Sequence, residues 1–118
     1  MHHHLTLGKF GEERASVFLI DKGFIILDRN WRFSHAEIDI IAQDRNTLVF
    51  IEVKTRSSVE FGRPEEFISN KKMLLIQDAA NEYMKKNQHD WAIRFDIIAV
   101  IAKPDGTELI SHFEDAWW

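Results

Sequence analysis

EIDIIAQDRNTLVFIEVKTR, residues 37–56, consists of two apolar runs on either side of the polar cluster DRNT, residues 44–47. Apolar alternation interrupted by turn-forming residues is typical of a β-hairpin. If Arg45-Asn46 is a two-residue turn, or if all four residues form the loop, residues whose numbers sum to 91 lie opposite each other. This register decides which charged side chains of the hairpin share a face.

The register predicts one apolar face and one charged face, because side chains alternate along a strand. The apolar face should carry Ile38, Ile40 and Ala42 opposite Val49, Ile51 and Val53. The other face should carry Glu37, Asp39, Glu52 and Lys54 together with Ile41 and Phe50. Asp39 would then face Glu52, and Glu37 would face Lys54.

The ordinary explanation of such charges is a solvated outer face with a Glu37–Lys54 ion pair. Against it, Asp39 and Glu52 would be like charges directly opposite, with Cβ atoms roughly 5 Å apart, which destabilises a sheet. A divalent cation between them would remove the repulsion, since Mg²⁺ is usually held by one or two carboxylates and several waters. The hairpin therefore predicts a metal site with Lys54 on the same side.

The rest of the chain predicts an α/β fold around this hairpin. A helix over 6–22 with Thr6 as its cap and Gly23 at its end, and a strand over 24–33, precede it. A loop at 57–66, a second amphipathic helix from 69 to about 87, a buried strand at 94–102 and a last strand at 107–113 follow it. The strand–helix–strand passage favours a right-handed crossover between parallel neighbours. We expect a mixed central sheet flanked by helices, in the order αβββαβ with an extra C-terminal strand.

Length and composition limit the class of protein. The 118 residues suit one domain over 1–118, in which residues 1–5 are expected to be disordered or a tag remnant. The absence of cysteine excludes thiolate chemistry and fits a reducing cytoplasm, the expected location. No apolar run approaches the roughly 20 residues that cross a bilayer, so no membrane partner is expected. The net charge of −4 requires any nucleic-acid surface to be local.

Several blocks together resemble known families. Asp39, twelve further residues and then Glu52-Val53-Lys54 resemble the PD-(D/E)xK motif of the restriction-endonuclease-like nucleases, with Ile38 in place of the proline. The blocks GKFGEERA, AEIDIIA, FIEVKTR, FGRPEE, ISNKK, RFDIIAV and EDAW, in this order, resemble the YraN-like family of small bacterial proteins. That family is functionally uncharacterised and is similar in fold to archaeal Holliday-junction resolvases. The likeness covers almost the full chain.

The resemblance implies a Mg²⁺ (or Mn²⁺) site and assigns roles to its residues. Asp39 and Glu52 would ligate the ion, with the carbonyl of Val53 as a third oxygen. Glu12 matches the first-helix glutamate that reaches the metal in the resolvases, although as a lone helical glutamate it would be a surface residue. Lys54 would orient or help deprotonate the attacking water and stabilise charge on the phosphate.

Nucleic-acid contacts are expected next to this site. Arg29 and Arg32 flank Trp31, a combination that contacts phosphates and stacks on a base, or is equally well an amphipathic strand end. Arg56 follows Lys54 at the mouth of the site and is the better phosphate candidate. Lys72 matches a family position of unknown role, where a structural salt bridge is the simpler explanation.

Four further residues have structural explanations. Asp96 also matches a family position of unknown role, and a salt bridge is again expected. His112 is expected to be a satisfied histidine and not a ligand. Trp117, with Trp118, either caps the core or makes a subunit contact in a homodimer.

Three functions from different classes follow from these residues. The first is a Mg²⁺-dependent endonuclease that hydrolyses phosphodiester bonds in DNA, at branched or otherwise structured sites. The second is a nucleic-acid-binding module of the same fold with little or no catalysis, for which the acidic net charge is awkward. The third is a scaffold that recruits partners, which facing carboxylates disfavour.

Overall fold

The computed structural model describes residues 6–57 and 68–117. Its elements are α1 (Leu7–Asp21), β1 (Ile25–Phe33), β2 (Ala36–Asp44), β3 (Thr47–Arg56), α2 (Asn70–Asn87), β4 (Ala92–Ala102) and β5 (Glu108–Phe113). The predicted order, with its extra C-terminal strand, is confirmed. The predictions for residues 1–5, for nearly all of the 57–66 loop and for Trp118 lie outside the described residues.

The helix ends follow from capping chemistry. The Thr6 hydroxyl accepts the backbone N–H of Lys9 at 3.2 Å, and Gly23 adopts φ +95° just after the helix, a conformation that costs glycine little. In α2 the Ser69 hydroxyl accepts the N–H of Lys72 at 3.1 Å. Both predicted helices are confirmed, and the Ser69 cap holds Lys72 on the first turn of α2.

The five strands form one sheet in the order β1-β2-β3-β4-β5. β3 and β4 are parallel, because α2 carries the chain from one end of the sheet back to the other, and the other three pairs are antiparallel. The predicted mixed sheet and the predicted parallel pair are therefore confirmed.

The hairpin register is confirmed as well. The pairs run from Asp44 opposite Thr47 to Ile40 opposite Ile51, so that each pair sums to 91. Arg45 begins the turn with φ +58°, as a tight two-residue hairpin requires.

Each face of the sheet has its own apolar cluster. On one face α1 contributes Ala15 and Leu19, which pack on side chains from β2, β3 and β4, namely Ile40, Ala42, Val49, Ile51, Val53, Ile98 and Val100. On the other face α2 contributes Ile76, Ala79, Ala80 and Tyr83, which pack on Ile41, Leu48, Phe50, Phe95 and Ile97. Alternation along β3 thus buries both faces.

One predicted position is wrong. Alternation puts Ile38 on the same face as Ile40, but Ile38 packs in the α2-side cluster while Ile40 packs in the α1-side cluster. The change of face occurs at Asp39. On β1, Arg29 pairs with Ile40 and Trp31 pairs with Ile38, and the residue between them, Asn30, has the left-handed value φ +53°. Simple alternation therefore fails at this point of the β1–β2 ribbon.

The C-terminal tryptophan closes the α2-side cluster. Trp117 is buried, and its ring lies 5.2 Å from that of Phe95, so the core-capping alternative holds for this residue. In the described part of the chain no helix combines the length and the apolar character needed to cross a membrane.

Candidate functional site

The Asp39 carboxylate lies at the point where β2 and β3 separate. The ladder between these strands ends at the Ile40–Ile51 pair. Two residues further along β3, the N–H of Val53 donates to Asp39 Oδ2 at 2.8 Å. A side-chain carboxylate thus takes the place of a backbone carbonyl. As a result Asp39 is only 8% exposed and lies between the two strands, accessible to side chains from both helices.

Glu52 lies beside Asp39 on β3 and is almost completely buried, with 3% of its surface exposed. Its carboxyl group is close enough to that of Asp39 to share a hydrogen bond. Two ammonium groups approach the same oxygen, Oε2: that of Lys54 at 3.3 Å, and that of Lys72 in direct hydrogen-bond contact. The structure therefore brings Asp39, Glu52 and Lys54 together and adds Lys72 from α2.

Asp39, Glu52, Lys54 and Lys72 form a charged cluster, and Glu12 of α1 lies on its other side. α1 approaches β3 very closely at Gly11, where a Cβ atom would lie 1.8 Å from the Thr55 hydroxyl oxygen. Glu12 is the next residue, and its Oε1 accepts a hydrogen bond from Asn30 Nδ2 at 2.9 Å. Its negative charge is near enough to act on Asp39.

Burial and like charge act together on Asp39. Desolvation, and then the neighbouring charge of Glu52, raise the pKa of Asp39 to about 8, against the stabilising N–H of Val53. Asp39 therefore holds a proton at neutral pH when no cation is bound.

The two lysines respond in opposite directions. Burial lowers the pKa of Lys54, and the adjacent positive charge of Lys72 adds to this, against the attraction of Glu52. Burial would also lower the pKa of Lys72, but its hydrogen bond to Glu52 and the charge of that residue outweigh the effect and raise it. Lys72 thus keeps its positive charge beside Glu52.

The donor set fits a magnesium site built on two carboxylates. Asp39 and Glu52 supply hard oxygen ligands, and the remaining positions of a Mg²⁺ ion are commonly filled by water. Within 6–57 and 68–117 no three His, Asp or Glu side chains converge in the arrangement of metal ligands. Glu12 instead bonds to Asn30, so its role as a third carboxylate ligand stays a prediction.

A polar cleft of about 360 Å³ adjoins the cluster on the α1 side. It is lined by Lys9, Glu12, Asn30, Arg32 and Glu37. Glu12 lines the cleft and its charge also acts on Asp39, so a molecule in the cleft would lie near the cluster.

The other predicted site residues lie apart from the cluster or on its edge. Glu37 pairs with Arg32 at 2.9 Å, so the expected Glu37–Lys54 pairing is wrong, because β2 and β3 have already separated at this level. Arg29 pairs with Glu13 at 3.1 Å. Arg56 is exposed at the end of β3 and donates to the carbonyl of Thr55.

Asp96 and His112 form a structural network on the α1 side of β4, where the His112 ring packs on Phe18 and Phe24. The Arg94 guanidinium donates two 2.9 Å hydrogen bonds to Asp96, and His112 Nε2 lies 2.8 Å from the same carboxylate. These hydrogen bonds outweigh the effect of burial and lower the pKa of Asp96. The expected salt bridge of Asp96 and the expected satisfied histidine are both confirmed.

Sequence reasoning missed three contributors to the site. Gly11 and Asn30 position Glu12, and Lys9 lines the cleft. A glycine inside a helix often indicates the close approach of another chain segment, so the close packing at Gly11 could have been predicted from the sequence. The Lys72–Glu52 contact joins residues 20 apart in sequence, and only the spacing Ser69-x-x-Lys72 hinted that this lysine begins a helix.

Comparison with known proteins places the chain in one family. The uncharacterised protein family UPF0102 matches residues 11–100. A UPF0102 protein of Flavobacterium psychrophilum is 52% identical over the whole of this chain and 98% of its own length. UPF0102 proteins of Phocaeicola vulgatus and Rhodococcus opacus are 42% and 37% identical, over 100% and 99% of this chain and 97% and 100% of their own lengths. The chain therefore belongs to the uncharacterised protein family UPF0102.

Proposed function

We propose that this protein is a Mg²⁺- or Mn²⁺-dependent endonuclease that hydrolyses phosphodiester bonds in DNA, at branched or otherwise structured sites. The observation that carries the proposal is the buried Asp39–Glu52 pair with Lys54 beside it. Two neighbouring carboxyl groups in a buried position are costly to maintain for structure alone. Such a pair is the usual preparation for a hard divalent cation.

Asp39 and Glu52 would hold the cation, with the Val53 carbonyl beside them. The cation would stabilise the charge that grows on the phosphate and make a water molecule easier to deprotonate. The protein keeps this place dry, since both ligands are buried. A low effective dielectric strengthens each electrostatic contact there.

Lys54 is suited to assist the attacking water. Its side chain is 19% exposed, and its lowered pKa increases the fraction of neutral amine, which can accept a proton. In its protonated form the same group would stabilise negative charge on the phosphate. Its 3.3 Å contact with Glu52 holds it next to the ligand oxygens.

The polar cleft suits a short stretch of nucleic acid next to the cluster. Lys9 and Arg32 offer positive charge to phosphates, and Asn30 offers an amide. Carboxylates lie among them, and the whole chain carries a net charge of −4, so binding would depend on local contacts and on the cation. This favours recognition of a particular DNA shape over general coating of DNA.

One observation favours a second candidate, a nucleic-acid-binding module without catalysis. The charge of Glu52 is already balanced by Lys54 and Lys72, so the cluster is stable without a cation. A module that needs no metal would be held together in this way.

A cleavage screen separates the two candidates. Duplex, single-stranded and four-way-junction DNA are incubated with the wild type in Mg²⁺, in Mn²⁺ and in EDTA. We expect metal-dependent cleavage of the junction, no cleavage by Asp39→Asn, and unchanged cleavage by Lys71→Ala, which removes a lysine exposed on α2. Binding without cleavage in either metal would establish the module instead.

A further inference from the structure

Lys72 occupies one of the two oxygens that Glu52 could offer to a cation. Its ammonium group is in direct contact with Glu52 Oε2, the same atom that Lys54 approaches at 3.3 Å. Glu52 is one of two carboxylates that would hold the metal under the proposed function. A cation and the Lys72 ammonium therefore compete for one buried carboxylate.

The two lysines differ in how easily they leave that carboxylate. The Lys54 side chain is 19% exposed, and it lies on β3 two residues from Glu52. The Lys72 side chain is 42% exposed, so its ammonium group can return to water at small cost. Its backbone would stay in place, because Ser69 caps α2 and Ile76 is buried one turn further on.

Charge balance also requires a group to leave. Asp39, Glu52 and the nearby Glu12 carry at most three negative charges, and Lys54 and Lys72 supply up to two positive charges. A divalent cation would leave the cluster with a net positive charge unless a lysine moved away and met an anion elsewhere. A phosphate of bound DNA is such an anion.

We propose that Lys72 is the displaceable counterion of the carboxylate pair. It neutralises Glu52 when no metal is bound, and a divalent cation releases it to contact a substrate phosphate. This inference rests on the proposed function and adds a consequence to it. Metal binding and DNA binding strengthen each other through one side chain, since each favours the released position of Lys72.

The first test measures Mn²⁺ affinity by calorimetry without DNA. Lys72→Met keeps the length of the side chain and removes its charge, and we expect it to bind Mn²⁺ about tenfold more tightly than the wild type, the effect of losing one charged hydrogen bond as a competitor. Lys72→Arg keeps the charge and adds a guanidinium group that can bind a carboxylate through two hydrogen bonds. This variant should therefore bind Mn²⁺ more weakly than the wild type. Lys71→Met, with the same change of charge at the neighbouring exposed position, should resemble the wild type.

The second test measures junction DNA affinity in Mn²⁺ and in EDTA, with junction DNA that carries non-hydrolysable phosphate linkages, so that Lys54 stays in place. Lys72→Met should weaken binding about tenfold in Mn²⁺, as expected for a lost charged contact, and by less than about twofold in EDTA. The Lys71→Met control should show no such dependence on metal.

The outcomes separate this inference from the proposed function. If the wild type binds and cleaves DNA with metal but Lys72→Met binds Mn²⁺ no more tightly, the inference alone fails. An equal loss of DNA affinity in Mn²⁺ and EDTA also overturns it, because Lys72 would then contact DNA without being released. If the wild type binds no Mn²⁺, both fail. Should Lys72→Met not fold, the weaker Mn²⁺ binding of Lys72→Arg still decides the question, and unchanged binding would refute the inference.

Discussion

At the scale of single residues, the most perturbed group of the site is the Asp39 carboxyl group. Asp39 accepts the N–H of Val53, which favours its charged form, yet burial and Glu52 outweigh this and raise its pKa to about 8. The ordinary value is 3.8. Between these two values the folded protein binds a proton that the unfolded chain does not.

This difference makes the metal-free protein less stable as pH rises. The folded state holds the extra proton throughout the interval from about 4 to about 8, so the stability that Asp39 contributes is fully present near pH 4 and below, and is lost as the pH rises towards 8. The slope for one proton is at most about 1.4 kcal/mol per pH unit. Denaturant unfolding in EDTA from pH 5 to pH 8 measures it. Asp39→Asn, which cannot titrate, should have a flatter profile, and two parallel profiles would show that Asp39 is not the source of the slope.

A pair of substitutions separates catalysis from binding. Lys54 lies inside the carboxylate cluster and adds little net positive field, so Lys54→Ala should abolish cleavage and leave DNA affinity nearly unchanged. Arg56 lies exposed at the end of β3. Arg56→Ala should weaken DNA binding and lower its salt dependence by about one counterion. Titrations at several salt concentrations together with single-turnover cleavage measure both effects, and equal losses of affinity in the two variants would be the contrary result.

At the scale of elements, the site depends on how closely α1 lies on the sheet. Gly11 allows the helix backbone to approach Thr55, and this places the following residue, Glu12, next to Asn30 and Asp39. α2 brings Lys72 to the other face in the same way, through the Ser69 cap at its first turn. The two helices thus complete from both faces a site that the hairpin begins.

Gly11→Ala tests this arrangement. The new Cβ would lie 1.8 Å from Thr55 Oγ1 and 2.9 Å from its Cβ, so α1 must move outwards. We expect a loss of about 1–3 kcal/mol of stability from overpacking, and weaker cleavage because Glu12 moves with the helix.

Gly8→Ala is the matched control on the same helix. A Cβ there meets nothing within 4 Å, so the variant should be as stable as the wild type or slightly more stable. Thermal melts of the two variants, with cleavage assays beside them, make the comparison. Equal stability of Gly11→Ala and Gly8→Ala would show that the close approach at Gly11 is not needed.

At the scale of the whole molecule, the site and the structural charges lie at the same level of neighbouring strands but on different faces of the sheet. Glu52 on β3 is opposite Ile97 and contacts Lys72 on the α2 side, whereas Asp96 on β4 bonds to His112, whose ring packs on Phe18 and Phe24 on the α1 side. Each charge in that network meets an opposite charge or a hydrogen-bond partner. At the proposed site, by contrast, two carboxyl groups, those of Asp39 and Glu52, lie side by side.

A divalent cation should therefore stabilise the whole fold through this one place. If Mn²⁺ or Mg²⁺ binds only the folded state, a concentration 100 times the Kd adds about 2.7 kcal/mol to the free energy of unfolding. The melting temperature should rise with millimolar metal in the wild type and stay constant in Asp39→Asn. Calorimetric melts with and without metal measure it. A wild type that melts at the same temperature throughout would count against a metal enzyme.

The sequence by itself determined the element order, the cap of α1 and the hairpin register. These depend on neighbours along the chain: alternating apolar residues, a two-residue turn at Arg45-Asn46, and a capping hydroxyl at Thr6. The same register predicted that Asp39 and Glu52 lie side by side with Lys54, because residues opposite a known turn can be counted from it.

Only the tertiary structure decided the face of Ile38, the partner of Glu37 and the position of Lys72. Ile38 changes face at an irregular point of the β1–β2 ribbon, and Glu37 meets Arg32 because β2 and β3 have separated there. Lys72 reaches Glu52 through the docking of α2 on the sheet. The physical reason is common to all three. Local patterns specify which residues form an element, but the contact between two elements depends on how all the side chains between them pack, and this is a property of the folded chain as a whole.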